Sequence, residues 1–172
     1  MVKRVALVGA SSTGKTTVYE LLKSRLPEYV FINESTRVIK SYGFPINEEG
    51  TDATQLAISS FHLEALLENK PLLLDRCYMD LVVYSKCMDI TPNTWNFIED
   101  TWYKVEKQYT HYVYFPIEFN SVNDGIRSTN EEWRTLIDEQ FKNRMQEVTG
   151  KRFTVTGSPL QRVSQILDFI NT

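Results

Sequence analysis

A doubly wound α/β fold, five parallel strands flanked by helices, is what this chain's pattern predicts, and three observations carry that prediction. Short β-rich runs alternate with longer segments whose apolar residues recur at helical spacing, the rhythm of a parallel sheet with crossover helices. One of those runs, Leu72-Leu-Leu, is apolar throughout, as a strand covered on both faces should be. The first run leads straight into Gly9-Ala-Ser-Ser-Thr-Gly14-Lys15-Thr16-Thr17 and then the helical Val18-Tyr-Glu-Leu-Leu-Lys. Strand, glycine loop and helix in that order form one recurring unit.

The elements follow in order. A first strand over Arg4–Val8 precedes a helix over Lys15–Arg25, which Pro27 ends. Tyr29–Ile32 reads as a short strand and Glu34–Tyr42 as a helix stopped by Gly43-Phe-Pro45. Residues 46–51 read as a loop, and Thr51 or Asp52 caps a helix running to about Asn69. Leu72–Asp75 is the buried strand, Tyr78–Met88 a helix, and Pro92 opens another with Trp95, Ile98, Trp102 and Val105 on one face. His111–Phe115 is the next strand and Pro116–Ser128 an irregular polar stretch. Asn130–Val148 is a long helix, Arg152–Val155 the last strand, and Ser158-Pro159 a cap and first turn.

At 172 residues the chain suits one domain with a substantial core. Hydrophobic content of 42% and charged content of 24% are those of a soluble globular protein. No apolar run approaches a membrane span, and no targeting peptide fits ahead of the first strand, so a cytoplasmic protein is expected. Cys77 and Cys87, ten apart with no His or Cys at metal spacing, read as reduced thiols. A net charge of −3 argues against broad nucleic-acid binding without excluding a local basic cleft.

The spacing G-x4-G-K-T over Gly9–Thr16 predicts a P-loop NTPase fold. Glycines let successive N–H groups turn inward on a phosphate, helped by the helix N-terminus. Gly9, Ser11, Ser12, Thr13, Gly14, Lys15, Thr16 and Thr17 are therefore the expected ATP-binding residues. Lys15 reaches the β- and γ-phosphates, and the Thr16 hydroxyl ligates Mg²⁺. Sites in such sheets lie at the carboxyl ends of the strands, where the remaining candidates sit. Asp75 ends the apolar strand and either holds Mg²⁺ with Thr16, acts as base on an acceptor hydroxyl, or merely caps the next helix. Arg76 beside it offers a fork for a phosphate or acceptor. Glu34 can orient or deprotonate a hydroxyl, with Arg37 three residues on along the same helical face, unless the two are a solvated pair.

In Asn123-Asp124-Gly125-Ile126-Arg127, a lid over about 116–128 can bring Arg127 onto the transferring phosphoryl group. Arg134 and Arg144 are weaker candidates. Tyr84 can line an acceptor pocket or be half-buried by default. Phe44, Phe61, Trp95, Trp102 and Tyr103 can stack a ring, although helical spacing favours core. His62 reads as a solvent-facing or hydrogen-bonded histidine, and Gly157-Ser158 stands where a nucleotide base would come near.

Taken in order, Gly9-x4-Gly-Lys-Thr16, Glu34-x2-Arg37, Leu-Leu-Asp75-Arg76 and Asp124-Gly-x-Arg127 resemble one family over roughly residues 3–170. It is the small P-loop family of the AAA-domain type that includes the nicotinamide riboside kinase domain of the bacterial NAD-biosynthesis regulator. Asp75-Arg76-x7-Tyr84 is also similar, locally, to thymidylate kinases. The resemblance implies a phosphotransferase using ATP and Mg²⁺, with a lid between the fourth strand and the long helix. No arginine-rich acceptor loop of the thymidylate kinase kind follows the phosphate loop.

The expected activity is thus an ATP-dependent kinase acting on a hydroxyl of a nucleoside or nucleotide-like acceptor, chosen by the stretches 43–52 and 90–104. Two rivals stay open: a kinase for a DNA or RNA end or modified base, and an ATP-dependent switch. A guanine switch is disfavoured because no Asn/Thr-Lys-x-Asp motif is present. A homodimer also stays open.

Overall fold

The computed structural model describes residues 2–120 and 130–172. Five strands form one parallel sheet: β1 (Arg4–Val8), β2 (Val30–Ile32), β3 (Leu72–Asp75), β4 (His111–Tyr114) and β5 (Lys151–Thr154). Their order across the sheet is β2-β3-β1-β4-β5. The helices among the described residues are α1 (Lys15–Lys23), α2 (Thr36–Ser41), α3 (Asp52–Ala65), α4 (Tyr78–Lys86), α5 (Pro92–Val105), α6 (Glu131–Arg144) and α7 (Pro159–Ile170). Short 3-10 turns at Asn47–Glu49 and Glu106–Gln108 add to these, the first within the stretch expected as loop.

The expected α/β architecture is therefore the observed one, with every expected strand in place. Among the described residues four helices start on side-chain caps, α5 through Thr91, which accepts from the Thr94 N–H. Thr51 accepts from the Thr54 N–H, Asn130 from the Trp133 N–H and Ser158 from the Gln161 N–H. One start differs, since α2 begins at Thr36 and leaves Glu34 outside the helix.

Alternation along each strand splits the core into two layers. Val5, Leu7, Leu73, Val113 and Phe115 pack on Val18, Tyr19 and Leu22 of α1 and on Val163, Ile166 and Ile170 of α7. Ala6, Val8, Leu72, Leu74, Tyr112 and Tyr114 pack on α4, α5 and α6 through Leu81, Val82, Ile98, Trp102, Ile137 and Phe141. Burying one large apolar side chain fully contributes about 1.5–3 kcal/mol, so both layers matter. Both cysteines are free thiols. Among the described residues no helix is long and apolar enough to cross a membrane.

The strand order places the site. β1 has β3 on one side and β4 on the other, so the chain leaves the two flanks of β1 in opposite directions and opens a crevice above its carboxyl end. The glycine loop hangs from that end.

Candidate active site

The loop is shaped by close approach. Gly9 has φ +140°, and a Cβ there would stand 2.5 Å from the Phe115 carbonyl oxygen. Gly14 at φ +86° makes the second turn and leads into α1. Lys15 folds over the loop. Its Nζ donates to the carbonyls of Gly9 (2.8 Å) and Ala10 (2.6 Å) and to the Thr13 hydroxyl (3.1 Å). Burial, reinforced by the Arg76 charge, lowers the Lys15 ammonium to about 7, against the pull of Asp75, Asp80 and Glu34.

Thr16 donates from its hydroxyl to Asp75 Oδ2 at 2.8 Å, joining α1 to the end of β3. Asp75 is 3% exposed and its Oδ1 is buried without a hydrogen-bond partner. Burial raises its carboxyl above the usual range, with Lys15 the largest opposing influence. A buried carboxylate with an unsatisfied oxygen beside a threonine hydroxyl is a hard-oxygen donor set. Magnesium is a fitting occupant, binding through one or two carboxylates while keeping waters.

Ser12, Thr13, Gly14, Lys15, Thr16 and Asp75 line a small polar pocket together with Glu34 and Arg76. Gly9 and Ser11 shape the loop without lining it, and Thr17 is exposed on α1.

A second pocket opens beyond Glu34 and Arg76, which line both. Arg76 sits at φ +78°, a costly conformation for a non-glycine residue, and its partners hold it there. Its Nε donates to Glu34 Oε1 at 2.7 Å, its Nη1 to Asp80 Oδ1 at 3.2 Å, and its guanidinium lies 5.0 Å from the Tyr84 ring centre. These carboxylates hold the guanidinium charged, and burial pushes Asp80 up to about 6. The remaining wall mixes Ser35, Asn47, Thr54, Gln55 and His62 with apolar Ile46, Ile58, Leu81 and Met88.

Five of the expected residues, Lys15, Thr16, Asp75, Glu34 and Arg76, thus converge at one boundary, and Tyr84 lines the second pocket. Arg37 is exposed on α2 and lines neither pocket, and α2 starts at Thr36, so Glu34 and Arg37 do not share a face of that helix. From the 43–52 stretch Ile46 and Asn47 line this pocket, whereas no residue of 90–104 does. None of Phe44, Phe61, Trp95, Trp102 and Tyr103 lines either pocket, and Trp102 is core. Arg144 pairs instead with Glu99 and Glu147, away from the loop. Asp124, Gly125 and Arg127, with most of the expected lid, lie outside the described residues.

Two features were missed or underrated in the sequence. His62 is not solvent-facing: it is 5% exposed, lines the second pocket, and burial with the nearby Arg76 lowers it to about 4, so its imidazole is neutral. Arg134 and Arg162 are buried against the loop. Arg134 donates from Nε to the Ser11 carbonyl (2.9 Å) and from Nη2 to the carbonyls of Ser12 (3.1 Å) and Phe119 (2.9 Å). Arg162 donates from Nη1 to the Thr13 carbonyl at 2.6 Å, from Nε to the Gly157 carbonyl at 2.9 Å, and pairs with Glu118 through Nη2. The only hint in the sequence is that each arginine lies on a helix that follows a strand's carboxyl end.

A family model described as AAA domain matches residues 4–162. Among solved structures, the NadR protein in complex with NR superposes with a TM-score of 0.76 at 18% identity, covering 99% of this chain and 49% of that one. This chain therefore spans about half the length of that protein. Deoxyadenosine kinase from M. mycoides, with products bound, gives 0.71 at 14% identity over 98% of both chains. Thymidylate kinase from Ehrlichia chaffeensis gives 0.71 at 12% identity over 98% of both. At such identities the likeness establishes the P-loop fold. No curated protein sequence matches.

Proposed function

This chain belongs to the AAA domain family, and on that premise we propose that it is an ATP-dependent kinase. It transfers the γ-phosphoryl group to a hydroxyl of a nucleoside or nucleotide-like acceptor. One observation carries the reading: the polar loop pocket and the mixed pocket beyond it share a single wall, Glu34 with Arg76, so a donor and an acceptor held one in each would meet there. The names of the solved relatives, a deoxyadenosine kinase and a thymidylate kinase among them, support the same class of acceptor.

Each residue takes a role from its place. The N–H groups of the loop and Lys15 hold the triphosphate. Thr16 and Asp75 are the residues that would hold Mg²⁺, which when bound would neutralise negative charge on the phosphates during transfer. Glu34 is favoured over Asp75 as base, because Glu34 faces both pockets while Asp75 lines the loop pocket and is engaged by Thr16. The acceptor oxygen forms its bond to γ-phosphorus as the bond to the β-bridging oxygen breaks. The hydroxyl proton passes to Glu34, and ADP leaves. Arg76, fixed by two carboxylates, orients Glu34 and the acceptor.

Transfer from γ-labelled ATP with Mg²⁺ to a panel of nucleosides, nucleoside monophosphates and oligonucleotides tests this. Label on a nucleoside or its monophosphate supports the reading. Label on oligonucleotides alone moves the acceptor to nucleic acid, and ATP hydrolysis with no transfer overturns the kinase assignment.

A further inference from the structure

Five successive carbonyls of the loop, those of Gly9 to Thr13, each accept a hydrogen bond from a cationic side chain. Lys15 takes Gly9 and Ala10, Arg134 takes Ser11 and Ser12, and Arg162 takes Thr13. In a trans peptide the carbonyl and the following N–H point in opposite directions. Fixing the Ser11, Ser12 and Thr13 carbonyls on the arginine side therefore turns the N–H groups of Ser12, Thr13 and Gly14 the other way. Those three residues line the loop pocket.

We propose that Arg134 and Arg162 are positioning residues for the triphosphate, a two-armed brace that holds the loop with its N–H groups presented before a nucleotide arrives. The proposal rests on the kinase reading above. Both side chains are buried, and their planar forks each span two or more segments. Arg134 joins Ser11 and Ser12 to the Phe119 carbonyl, and Arg162 joins Thr13 to the Gly157 turn and Glu118. The aromatic rings of Phe115 and Phe119 stand 5.4 and 5.9 Å from the Arg162 guanidinium and restrict it further. The segment leaving β4 and the turn before α7 thus set the loop's shape through the two arginines. Preorganised donors are worth more than donors that must be arranged on binding, so affinity for the triphosphate should depend on the fork geometry as well as the charge.

The test uses Arg134→Lys and Arg162→Lys, which keep the charge and lose the fork, and Glu118→Gln, which does not touch the loop. Calorimetric titration with ATP and Mg²⁺ is read beside the nucleotide-free melting midpoint and the kinetics of ATP turnover. The expected result is a tenfold or greater loss of ATP affinity in each lysine variant, with KM for ATP rising in step and kcat changing less than threefold. Glu118→Gln should shift affinity the same way by a smaller factor. Unchanged ATP affinity in the folded lysine variants overturns the brace, whatever happens to their melting. If both lysine variants fail to fold, Glu118→Gln decides, and unchanged affinity there overturns it. A wild-type protein that binds no ATP overturns the kinase reading and the brace together, a result distinct from wild type and variants binding alike.

Discussion

Glu34 Oε1 lies 2.7 Å from Arg76 Nε, and each residue stands two positions beyond a strand residue paired in register, Ile32 with Leu74. The parallel register of β2 on β3 therefore assembles the wall between the two pockets. Glu34→Gln removes the proposed base and half of that ion pair. Turnover should fall about 10²–10⁴-fold, the usual contribution of a positioned acid or base, with ATP affinity kept. Steady-state kinetics beside ATP titration separates the two, and a wild-type kcat would remove Glu34 from the chemistry.

Asp75→Asn should act on the metal requirement instead. Losing the carboxylate charge beside Thr16 should raise the Mg²⁺ concentration for half-maximal turnover by about tenfold or more. A Mg²⁺ titration of activity checks it, and an unshifted midpoint would take Asp75 out of the metal site.

Lys15→Ala should lower turnover by about 100-fold or more, because phosphoryl transfer rests on fixed positive charge. Circular dichroism should show the fold retained, since Lys15 belongs to the loop and not to either core layer. Near-native activity in this variant would exclude the proposed phosphate contact.

Lys15 also predicts a proton signature. Its ammonium is lowered to about 7 by burial, and a bound triphosphate raises it again. Below pH 7 the charge is already present. Above it, ATP binding must take up a proton, so affinity should weaken as pH rises. Titration at pH 8 in buffers of different ionisation enthalpy should report uptake of up to one proton, absent from Lys15→Ala.

His62 makes a stability prediction. The unfolded chain protonates this imidazole below about 6.5, while the folded chain resists until about 4. Unfolded protein then binds more protons between those values, so stability falls as pH drops through that window, by up to about 3 kcal/mol from this group. His62→Leu should flatten the dependence of denaturant midpoint on pH between 6.5 and 4. An unchanged slope would mean that His62 titrates normally.

The strands were legible because apolar runs ending at Gly9 and Asp75 leave little choice of element or of sheet edge. The donor side was legible for a similar reason, since loop chemistry is written in consecutive residues. The start of α2 was less legible: it lies at Thr36, two residues after the expected Glu34, so the helical neighbour relation expected between Glu34 and Arg37 is not formed within α2. His62, Arg134 and Arg162 were missed or underrated for a different reason. A charged or titratable residue on a helix reads as surface, and only tertiary packing shows that it is buried and what it holds.

The central place of β1 has a consequence for how the two halves of the site wear under stress. All five of its residues are buried, and Val5, Ala6 and Leu7 are paired on both sides, so its amides should be among the last to exchange with solvent. Glu34 instead follows β2, a three-residue border strand of half-buried residues with one neighbour. The proposed nucleotide half is thus anchored in the part of the sheet expected to open most slowly, and the proposed acceptor half beside a border strand expected to open sooner. On the proposed reading, substitutions around β2 and α2 should alter which hydroxyl is chosen while leaving the ATP-binding loop standing.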